Sequence, residues 1–499
     1  MSSIKKLAGQ TVWYGASSIV ARFINYLLTP YLTLKLTTAQ YGEQVLVYSF
    51  IPFMNILFTH GMETAFFRFT QNRDKKSVYN TSSISLIFSS LLLSLLLIVF
   101  INPAAKLIRL ENHPEYILLA ALIIGLDALT TIPFAKLRLD GRPRKFAFVK
   151  ITGIVVNVLS LYFFLSICPA IVKNDPQGFI ATFYKEDWKV GYVFVANFIQ
   201  ALVTLLLLSK EFLGFKFKFD KPLWRTMIIY ALPIMIAGFG GMINETFDRI
   251  MLGWWSTAGS EHAIKEQVGI YGAVYKLSIL ITLAVQAFRM GAEPFFFNQS
   301  KSDNAPKIYA RVMKFFEITL CLMFLAVVLY MNIWKQFIQN PKMWVGLSVV
   351  PILLLANMFL GIYYNLSIWY KLGNKTMAGA YITLIGAVVT LVINYLFIPK
   401  FGYTACAWAT FACYGLMMVI SYFWGQKNYP VPYAWKKLLA YIILAVMIYT
   451  AHYYITKYFP NVWLYYILAT VLFAMYTLFI LKVERREFQR MPVIGKFLK

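Results

Sequence analysis

The sequence predicts an all-α, polytopic membrane protein with fourteen transmembrane helices, and two observations lead to that prediction. The chain contains fourteen apolar stretches, each close to the ~20 residues that a helix needs to cross hydrocarbon. Its lysines and arginines fall almost entirely on alternate connections between these stretches. The stretches are too long and too uninterrupted for the strands of a transmembrane barrel, so helices must satisfy the backbone polar groups.

The predicted spans, in chain order, are 10–35, 42–67, 79–101, 115–137, 146–167, 190–209, 224–253, 268–296, 309–333, 346–369, 378–398, 404–425, 438–455 and 463–481. The first residues, MSSIKKLAGQTVWYG, lack a short apolar core followed by a small-residue cleavage site. We therefore expect the first span to be retained as a helix.

The distribution of basic residues predicts the orientation in the membrane. With a cytoplasmic amino terminus, the inner connections and the two termini hold about 32 of the 47 Lys and Arg residues, and the outer loops about 11. Both termini are therefore expected to be cytoplasmic. The net charge of +26 is explained by these inner loops, which would lie against anionic lipid headgroups, so no nucleic-acid partner is expected.

Enzymatic and metal sites are not indicated by the motifs. The four cysteines, Cys168, Cys321, Cys406 and Cys413, lie in or at the ends of spans without a CxxC pair, which favours small core residues over a disulfide framework or a metal site. HExxH, GxSxG and P-loop motifs are also absent. The adjacent acids Glu186 and Asp187 stand alone on a short loop, as surface charges do. The sequence predicts a protein that is not an enzyme and has no cofactor.

An internal repeat divides the chain. A shift of 230 residues aligns 41–67 with 271–297 at eight identities, including Tyr-Gly and Gly-x-Glu-x-x-Phe-Phe. The shift places span 2 on span 8, which predicts two pseudo-symmetric six-helix lobes in the same orientation, a parallel repeat. The predicted domains are an N-lobe at 1–210, a cytoplasmic linker at 211–222, a C-lobe at 223–426, and two C-terminal helices with a basic tail at 427–499.

Ionisable side chains inside the spans are candidates for function, because each costs about 3 kcal/mol or more at the centre of a bilayer helix. Arg22 lies midway along the first span, three residues from Asn25 and on the same helical face. Asp127 lies at the centre of span 4, and Lys276 lies on span 8. Arg22, Asp127 and Lys276 lack an opposite charge at helical spacing, which predicts that they face a wet cavity.

A second group of polar residues follows spans 7 and 8 and comprises Asn244, Glu245, Asp248, Arg249, Gln286, Arg289 and Glu293. Glu245 and Arg249 are four residues apart, as are Arg289 and Glu293. Such pairs commonly do no more than hold helices together. Two interpretations therefore stay open for these residues and for Asp248: mutual neutralisation, or contact with cargo.

Glu63 and Glu293 occupy equivalent positions near the predicted cytoplasmic ends of spans 2 and 8. They are either gate residues or partners of basic loop residues such as Arg68. His60, one turn from Glu63, could titrate near neutral pH, although a lone histidine near an interface is more often a bystander.

Several segments resemble the polysaccharide-type lipid flippases of the multidrug/oligosaccharidyl-lipid/polysaccharide (MOP) superfamily, which also holds the multidrug and toxin extrusion transporters and the lipid II flippase. These segments are TPYLTLKLTTAQYGE at 29–43, GMETAFFRF at 61–69, ETFDRIMLGWW with VGIYGAVYKLS in spans 7 and 8, and IPKFGYTACAWAT at 398–410. Where many relatives have Gly-Ala-Ala after the Ile-Pro-x-x-Gly turn, this chain has Thr404, Ala405 and Cys406. Its basic residues match the cavity arginines of the lipid II flippase at Arg22 alone, which argues against lipid II as cargo.

The resemblance implies a two-lobed bundle that moves an undecaprenyl-(pyro)phosphate-type lipid-linked oligosaccharide across the bacterial cytoplasmic (inner) membrane by alternating access. Basic cavity residues would meet the phosphate, here Arg22, Asn25, Lys276, Arg249 and Arg289. Asp127, Glu63, Glu245, Asp248 and Glu293 would couple to H⁺ or Na⁺ or act as gates. The implied partners are the lipid-linked glycan, membrane lipids and other polysaccharide-assembly proteins. Two alternatives stay open: a multidrug or small-metabolite cation antiporter of the same superfamily, and a membrane glycan-assembly enzyme or scaffold.

Overall fold

A computed structural model describes residues 19, 20, 22–300, 302–373 and 375–489. The helices are α1 (22–35), α2 (Thr38–Thr59), α3 (Met62–Phe69), α4 (Lys75–Val99), α5 (Ile101–Leu107), α6 (Glu115–Leu139), α7 (Pro143–Tyr162), α8 (Cys168–Asn174), α9 (Phe179–Phe183), α10 (Lys189–Leu207), α11 (Lys221–Trp255), α12 (Glu261–Gln299), α13 (Ala305–Val328), α14 (Met331–Trp334), α15 (Val350–Leu366), α16 (Ile368–Leu372), α17 (Thr376–Phe401), α18 (Tyr403–Asn428), α19 (Trp435–Tyr458), α20 (Val462–Val483) and α21 (Arg485–Phe488). A π-helical turn at Phe163–Ile167 joins α7 to α8, and short 3₁₀ turns occupy Glu186–Trp188, Ser209–Phe212, Lys335–Phe337 and Pro341–Val349.

The all-α membrane fold is confirmed for the described part of the chain, which contains no strand. Twelve of its helical segments are long and apolar enough to cross a membrane, and the bent pair Ala305–Val328 with Met331–Phe337 raises the number to thirteen. These thirteen segments coincide in order with predicted spans 2 to 14. The first predicted span, 10–35, lies partly outside the described residues, so the count of fourteen stays a prediction.

Span 2 is broken, whereas its sequence predicts an uninterrupted helix. α2 ends at Thr59 and α3 begins at Met62. The two residues between them, His60 and Gly61, adopt the left-handed conformation, with φ of 34° and 70°. The His60 ring is held by a 2.9 Å hydrogen bond between its Nε2 and Ser85 Oγ, which also accepts from Trp224 Nε1. The side-chain contact of His60 therefore stabilises a break that the apolar pattern does not reveal. In α12 the equivalent residues stay helical, so the two halves of the repeat differ at this point.

Two glycines bring α2 and α12 together at backbone distance. A Cβ atom added to Gly42 would overlap the carbonyl oxygen of Lys265, and one added to Gly269 would overlap the carbonyl oxygen of Thr38. Beside this crossing, Lys265 Nζ donates to Glu43 Oε1 over 2.9 Å, and both side chains are buried. The Tyr-Gly pair of the sequence repeat thus includes a glycine that the crossing requires.

Two compact units make up the described chain. The first comprises the described residues up to Ala273 with Gln339–Val345 and Thr383–Ala409. The second comprises Val274–Ile338, Gly346–Ile382 and the described residues from Thr410 onward. The division follows contact density rather than the sequence repeat, so the lobes at 1–210 and 223–426 stay a prediction.

The segment that leads to the predicted linker is fixed to the first unit by Glu211. Its buried carboxylate accepts hydrogen bonds from Lys145 Nζ and Arg142 Nη1 at 2.5 and 2.9 Å, and Lys136 Nζ lies 3.9 Å away. Burial alone would raise the pKa of Glu211, but these cations, Lys145 foremost, hold it below its ordinary value. Three cations around one carboxylate therefore secure the chain between α10 and α11.

We expect Gly42→Ala to destabilise the protein by about 1–3 kcal/mol, because the new methyl group has no space beside the Lys265 carbonyl. Gly291→Ala is the matched control: its Cβ would meet nothing within 4 Å, and alanine favours the helix by up to ~1 kcal/mol. The measurement is the melting temperature of each purified variant in detergent. Equal melting temperatures for the two variants would contradict the close crossing.

Candidate functional site

Helix α1 exposes two different faces. Phe23, Leu27 and Leu34 form an exposed apolar face. At 100° per residue, the exposed Arg22 and Asn25 lie about 100–180° away from those residues around the helix. They lie on the side that carries the buried residues Tyr26, Thr29, Leu32 and Thr33. Arg22 and Asn25 are therefore open on the protein-facing side of α1, as residues that line a recess would be.

Asp127 is the one exposed residue of α6, and every other residue from Glu115 to Leu139 is buried or half-buried. A side chain on a lipid-facing stripe would have exposed neighbours one turn away, which Asp127 lacks. The positive charge of Lys150, on α7, acts on this carboxylate. Lys150 Nζ also lies 4.4 Å from the centre of the Phe134 ring. Tertiary structure thus supplies a counter-charge that helical spacing along α6 does not.

Asp248 and Arg249 form a buried network on α11. Arg249 Nη1 donates to Asp248 Oδ1 and to the carbonyl oxygen of Glu245, both over 2.7 Å. The Tyr271 hydroxyl donates to the other oxygen of Asp248 over 2.5 Å. Arg249 is 7% exposed and Asp248 2%. Arg249 therefore forms its ion pair with the adjacent Asp248, while its contact with Glu245 is to the backbone carbonyl.

Glu245 is exposed, whereas its neighbour Asn244, about 100° away around α11, is buried. The buried amide of Asn244 donates to the Thr383 carbonyl over 3.1 Å and accepts from Thr390 Oγ1 over 3.3 Å. Asn244 thus joins α11 to α17. The exposed carboxylate of Glu245 is the accessible acidic group of this part of α11.

In the second unit, Arg289 and Glu293 form the ion pair that their spacing predicts, with 3.6 Å between Nε and Oε1. Glu293 Oε1 also accepts from Lys371 Nζ over 2.5 Å, and the Arg289 guanidinium lies 3.9 Å from the centre of the Tyr364 ring. Lys276 is half-buried on the same helix, α12. Arg289 and Glu293 therefore belong, with Lys371, to a partly exposed network that offers both signs.

Glu63 pairs with Arg138 of α6 rather than with the neighbouring loop residue Arg68. The Arg138 guanidinium also lies 5.0 Å from the centre of the Phe67 ring. Both members of the pair are about one-third exposed, at 40% and 34% of the side-chain surface. The contact links α3 to α6 at a partly solvated site.

Residues 7–298 match the model of a family described as polysaccharide biosynthesis protein, and this match spans more than half of the chain. The chain belongs to the polysaccharide biosynthesis protein family. The resemblance to the MOP superfamily that the sequence motifs indicate is therefore confirmed.

Solved structures with the same fold include a lipid II flippase and multidrug transporters. The lipid II flippase MurJ in an inward closed conformation matches with a TM-score of 0.73 at 12% identity, over 94% of this chain and 99% of that one. An inward-facing MATE-family transporter of the MOP superfamily matches at 0.61 and 13% identity, over 84% and 95%. A MATE transporter of Vibrio cholerae matches at 0.54 and 13% identity, over 86% and 98%. No curated protein matches the sequence. Family membership and fold together identify a flippase or transporter.

Within the predicted spans of this polysaccharide biosynthesis protein, two buried carboxylates escaped the sequence reasoning. One is Glu43, which pairs with Lys265 beside the glycine crossing; the two are 222 residues apart in the chain, so no local spacing reveals the pair. The other is Glu317, the lone acid of the apolar segment FFEITLCLMF, whose position in span 9 was a visible signal. Glu317 is 1% exposed.

A metal site is not apparent in the described residues, where no three His, Cys, Asp or Glu side chains come together. All four cysteines are buried, and none of them forms a disulfide. The site residues that the structure brings together are the Asp248–Arg249 and Arg289–Glu293 pairs. Their assignment to cargo or coupling stays a prediction, as does that of Arg22, Asn25 and Asp127.

We expect Arg249→Met to destabilise the protein by about 3–5 kcal/mol, because Asp248 would remain buried without its counter-charge. The double variant Asp248→Asn with Arg249→Met removes both charges and should recover most of that loss. Thermal unfolding of the three purified proteins gives the coupling between the two positions. A double variant that is as unstable as the single one would contradict a mainly electrostatic network.

Proposed function

We propose that the protein is a flippase for an undecaprenyl-(pyro)phosphate-type lipid-linked oligosaccharide that serves surface polysaccharide assembly. The observation that carries the proposal is the exposure of Arg22 and Asn25 on the side of α1 that also carries its buried residues, in a member of the polysaccharide biosynthesis family. Placing a basic residue within a membrane span costs free energy, so such residues are candidates for function. Binding of an anionic cargo is a function that a basic residue suits. The fold shared with a lipid II flippase is consistent with a lipid-linked cargo.

The headgroup chemistry of such a cargo explains the choice of residues. A diphosphate carries its charge into a recess of low dielectric, where a fixed cation attracts it far more strongly than in bulk water. Arginine adds parallel N–H donors that match phosphate oxygens, and the amide of Asn25 adds one more donor for an oxygen or a sugar hydroxyl. In our proposal Lys276 and Arg289 supply the corresponding positive charge on α12.

Coupling is assigned to Asp127. Its carboxylate is exposed within an otherwise covered helix and is influenced by Lys150. When a proton or Na⁺ neutralises Asp127, the attraction to Lys150 weakens, so α6 and α7 gain a second arrangement whose population depends on ion binding. Such an ion-dependent equilibrium is what alternating access between the predicted lobes requires.

The proposed setting is the bacterial cytoplasmic membrane, with both termini on the cytoplasmic side. The supporting observation is the concentration of Lys and Arg on alternate connections. The proposed partners are the lipid-linked glycan, surrounding anionic lipids and other proteins of polysaccharide assembly. Glycan transfer itself would belong to those proteins.

A cation antiporter of the same superfamily is the second candidate. The observation that favours it is the pair of exposed membrane carboxylates, Asp127 and Glu245, since an organic cation would be drawn to carboxylates. The two candidates differ in the cell: loss of a flippase leaves lipid-linked intermediate on the inner leaflet, whereas loss of an antiporter leaves the cell sensitive to its exported cations.

We expect Arg22→Ala to abolish surface-glycan export and to raise the amount of lipid-linked intermediate, because the phosphate loses its fixed cation. Phe23→Ala is the matched control, since Phe23 is exposed on the apolar face of the same helix turn. Surface glycan is quantified by antibody binding and the intermediate by mass spectrometry, at equal protein levels. Normal export by Arg22→Ala would overturn the assignment of Arg22.

We expect Asp127→Asn to remove the dependence of transport on an ion gradient, because an amide neither binds nor releases a proton. Asp140→Asn, at the end of the same helix, removes an exposed carboxylate outside the span and should leave the gradient dependence intact. The measurement is flipping of a lipid-linked oligosaccharide in proteoliposomes with and without imposed H⁺ or Na⁺ gradients. A gradient response in Asp127→Asn that equals the wild-type response would place coupling elsewhere.

A further inference from the structure

The second unit contains a partly open, almost wholly apolar cavity of about 360 Å³. Its walls come from α13, α15, α18 and α19, and from the segment that leads into α19. The one ionisable acid in the wall is Glu317, and no Lys, Arg or His lines it. The aromatic residues in the wall are Tyr422, Phe423, Tyr433 and Trp435.

Glu317 is a wall residue of this cavity, and its buried Oε1 atom has no hydrogen-bond partner; the residue as a whole is 1% exposed. A buried polar atom of this kind is normally satisfied, and an unpaired buried carboxylate is strongly unfavourable. Lys314, one turn earlier on α13, does not neutralise it, because its ammonium lies 2.8 Å from Glu484 Oε2. The arrangement leaves an acidic group that an occupant of the cavity can satisfy.

The titratable groups around Glu317 are engaged with other partners. The Tyr441 hydroxyl on α19 donates to Glu484 Oε1 over 2.7 Å, and the Tyr476 hydroxyl on α20 donates to the Tyr441 carbonyl over 3.2 Å. Cys321, one turn further on α13, is buried and apolar in character. The protein groups that surround Glu317 therefore do not supply the missing donor.

We propose that this cavity binds an amphipathic amine, with its ammonium group on Glu317 and its apolar body against the aromatic mouth. Charge complementarity selects a cation, and an ammonium close to aromatic faces gains further attraction. The absence of basic residues from the wall disfavours aminophospholipids, whose phosphate would enter an apolar space without a counter-charge. The ligand class is an alkyl or aryl amine without phosphate that enters from the membrane. The site is independent of the phosphate-binding residues proposed above.

The depth of Glu317 suits such a ligand. Lys314, Lys437 and Glu484 form an ion-pair cluster, with Lys437 Nζ 2.6 Å from Glu484 Oε1. Glu317 lies three residues from Lys314, about 4.5 Å along the helix axis. Trp435, which is 51% exposed at the start of α19, has the amphipathic ring common at membrane interfaces. A bound amine can therefore place its ammonium group one helical turn from the Lys314–Lys437–Glu484 cluster, while its alkyl chain stays in the membrane.

The test is photo-crosslinking of the full chain in its native membrane with an alkylamine that carries a diazirine in its chain. We expect labelled peptides from α13, α18 or α19, with labelling competed by dodecylamine at least tenfold better than by dodecanol. Glu317→Gln keeps the size of the side chain and should reduce labelling at least tenfold. Glu487→Gln is the matched control, since it removes a carboxylate that pairs with Arg311 outside the cavity wall and should label as the wild type does.

A second variant covers the case in which Glu317→Gln does not fold. Ile442→Trp fills the cavity from its wall while Glu317 remains, and it should also reduce labelling at least tenfold. Folding of each variant is checked by its elution as a monodisperse peak in detergent. Undiminished labelling of a folded Glu317→Gln or Ile442→Trp protein, or equal competition by dodecanol and dodecylamine, would overturn the proposal. Because binding rather than export is measured, a failed flippase assignment would leave this result unaffected.

Discussion

The structure depends above all on the scarcity of hydrogen-bond partners in hydrocarbon. Backbone amides and carbonyls within a bilayer have to bond to each other, which makes the membrane-crossing elements of this chain helical. The same scarcity acts on side chains. Asp248 is tolerated beside Arg249, and Glu43 beside Lys265, because each carboxylate is held within 3 Å of a cation. In these two pairs, each buried negative charge is matched by a positive one.

Three other charged residues differ from these pairs in their exposure or their surroundings. Arg22 is open on the protein-facing side of its helix, and Asp127 is the exposed point of a covered one. Both positions suit solvated groups that meet a charged cargo or an ion. Glu317 differs from both, since it is buried, lacks a partner for one oxygen and lines an apolar cavity. An exposed arginine suits an anionic headgroup, whereas a buried acid beside aromatic rings suits a lipophilic cation.

The glycine crossing shows how packing and charge support each other. Gly42 and Gly269 let two backbones approach more closely than any side chain allows, and this approach brings Lys265 to Glu43. Because lipid tails are as apolar as the side chains, the hydrophobic effect does not drive membrane helices together. Close van der Waals contact is therefore an important source of helix association. At the other end of α2, the left-handed pair His60 and Gly61 divides the span in two. A rigid crossing and a break thus lie on one membrane segment.

The sequence by itself determined the helical fold, the positions of spans 2 to 14 and the family, because apolar length, basic loops and local motifs are properties of contiguous residues. It also placed the Arg289–Glu293 pair, whose spacing is local. Tertiary structure decided what contiguous residues do not encode. It paired Arg249 with its neighbour Asp248, placed Lys150 where its charge acts on Asp127, and broke span 2 at His60. Ion pairing and burial depend on which helices become neighbours, and that is fixed by packing across the whole chain.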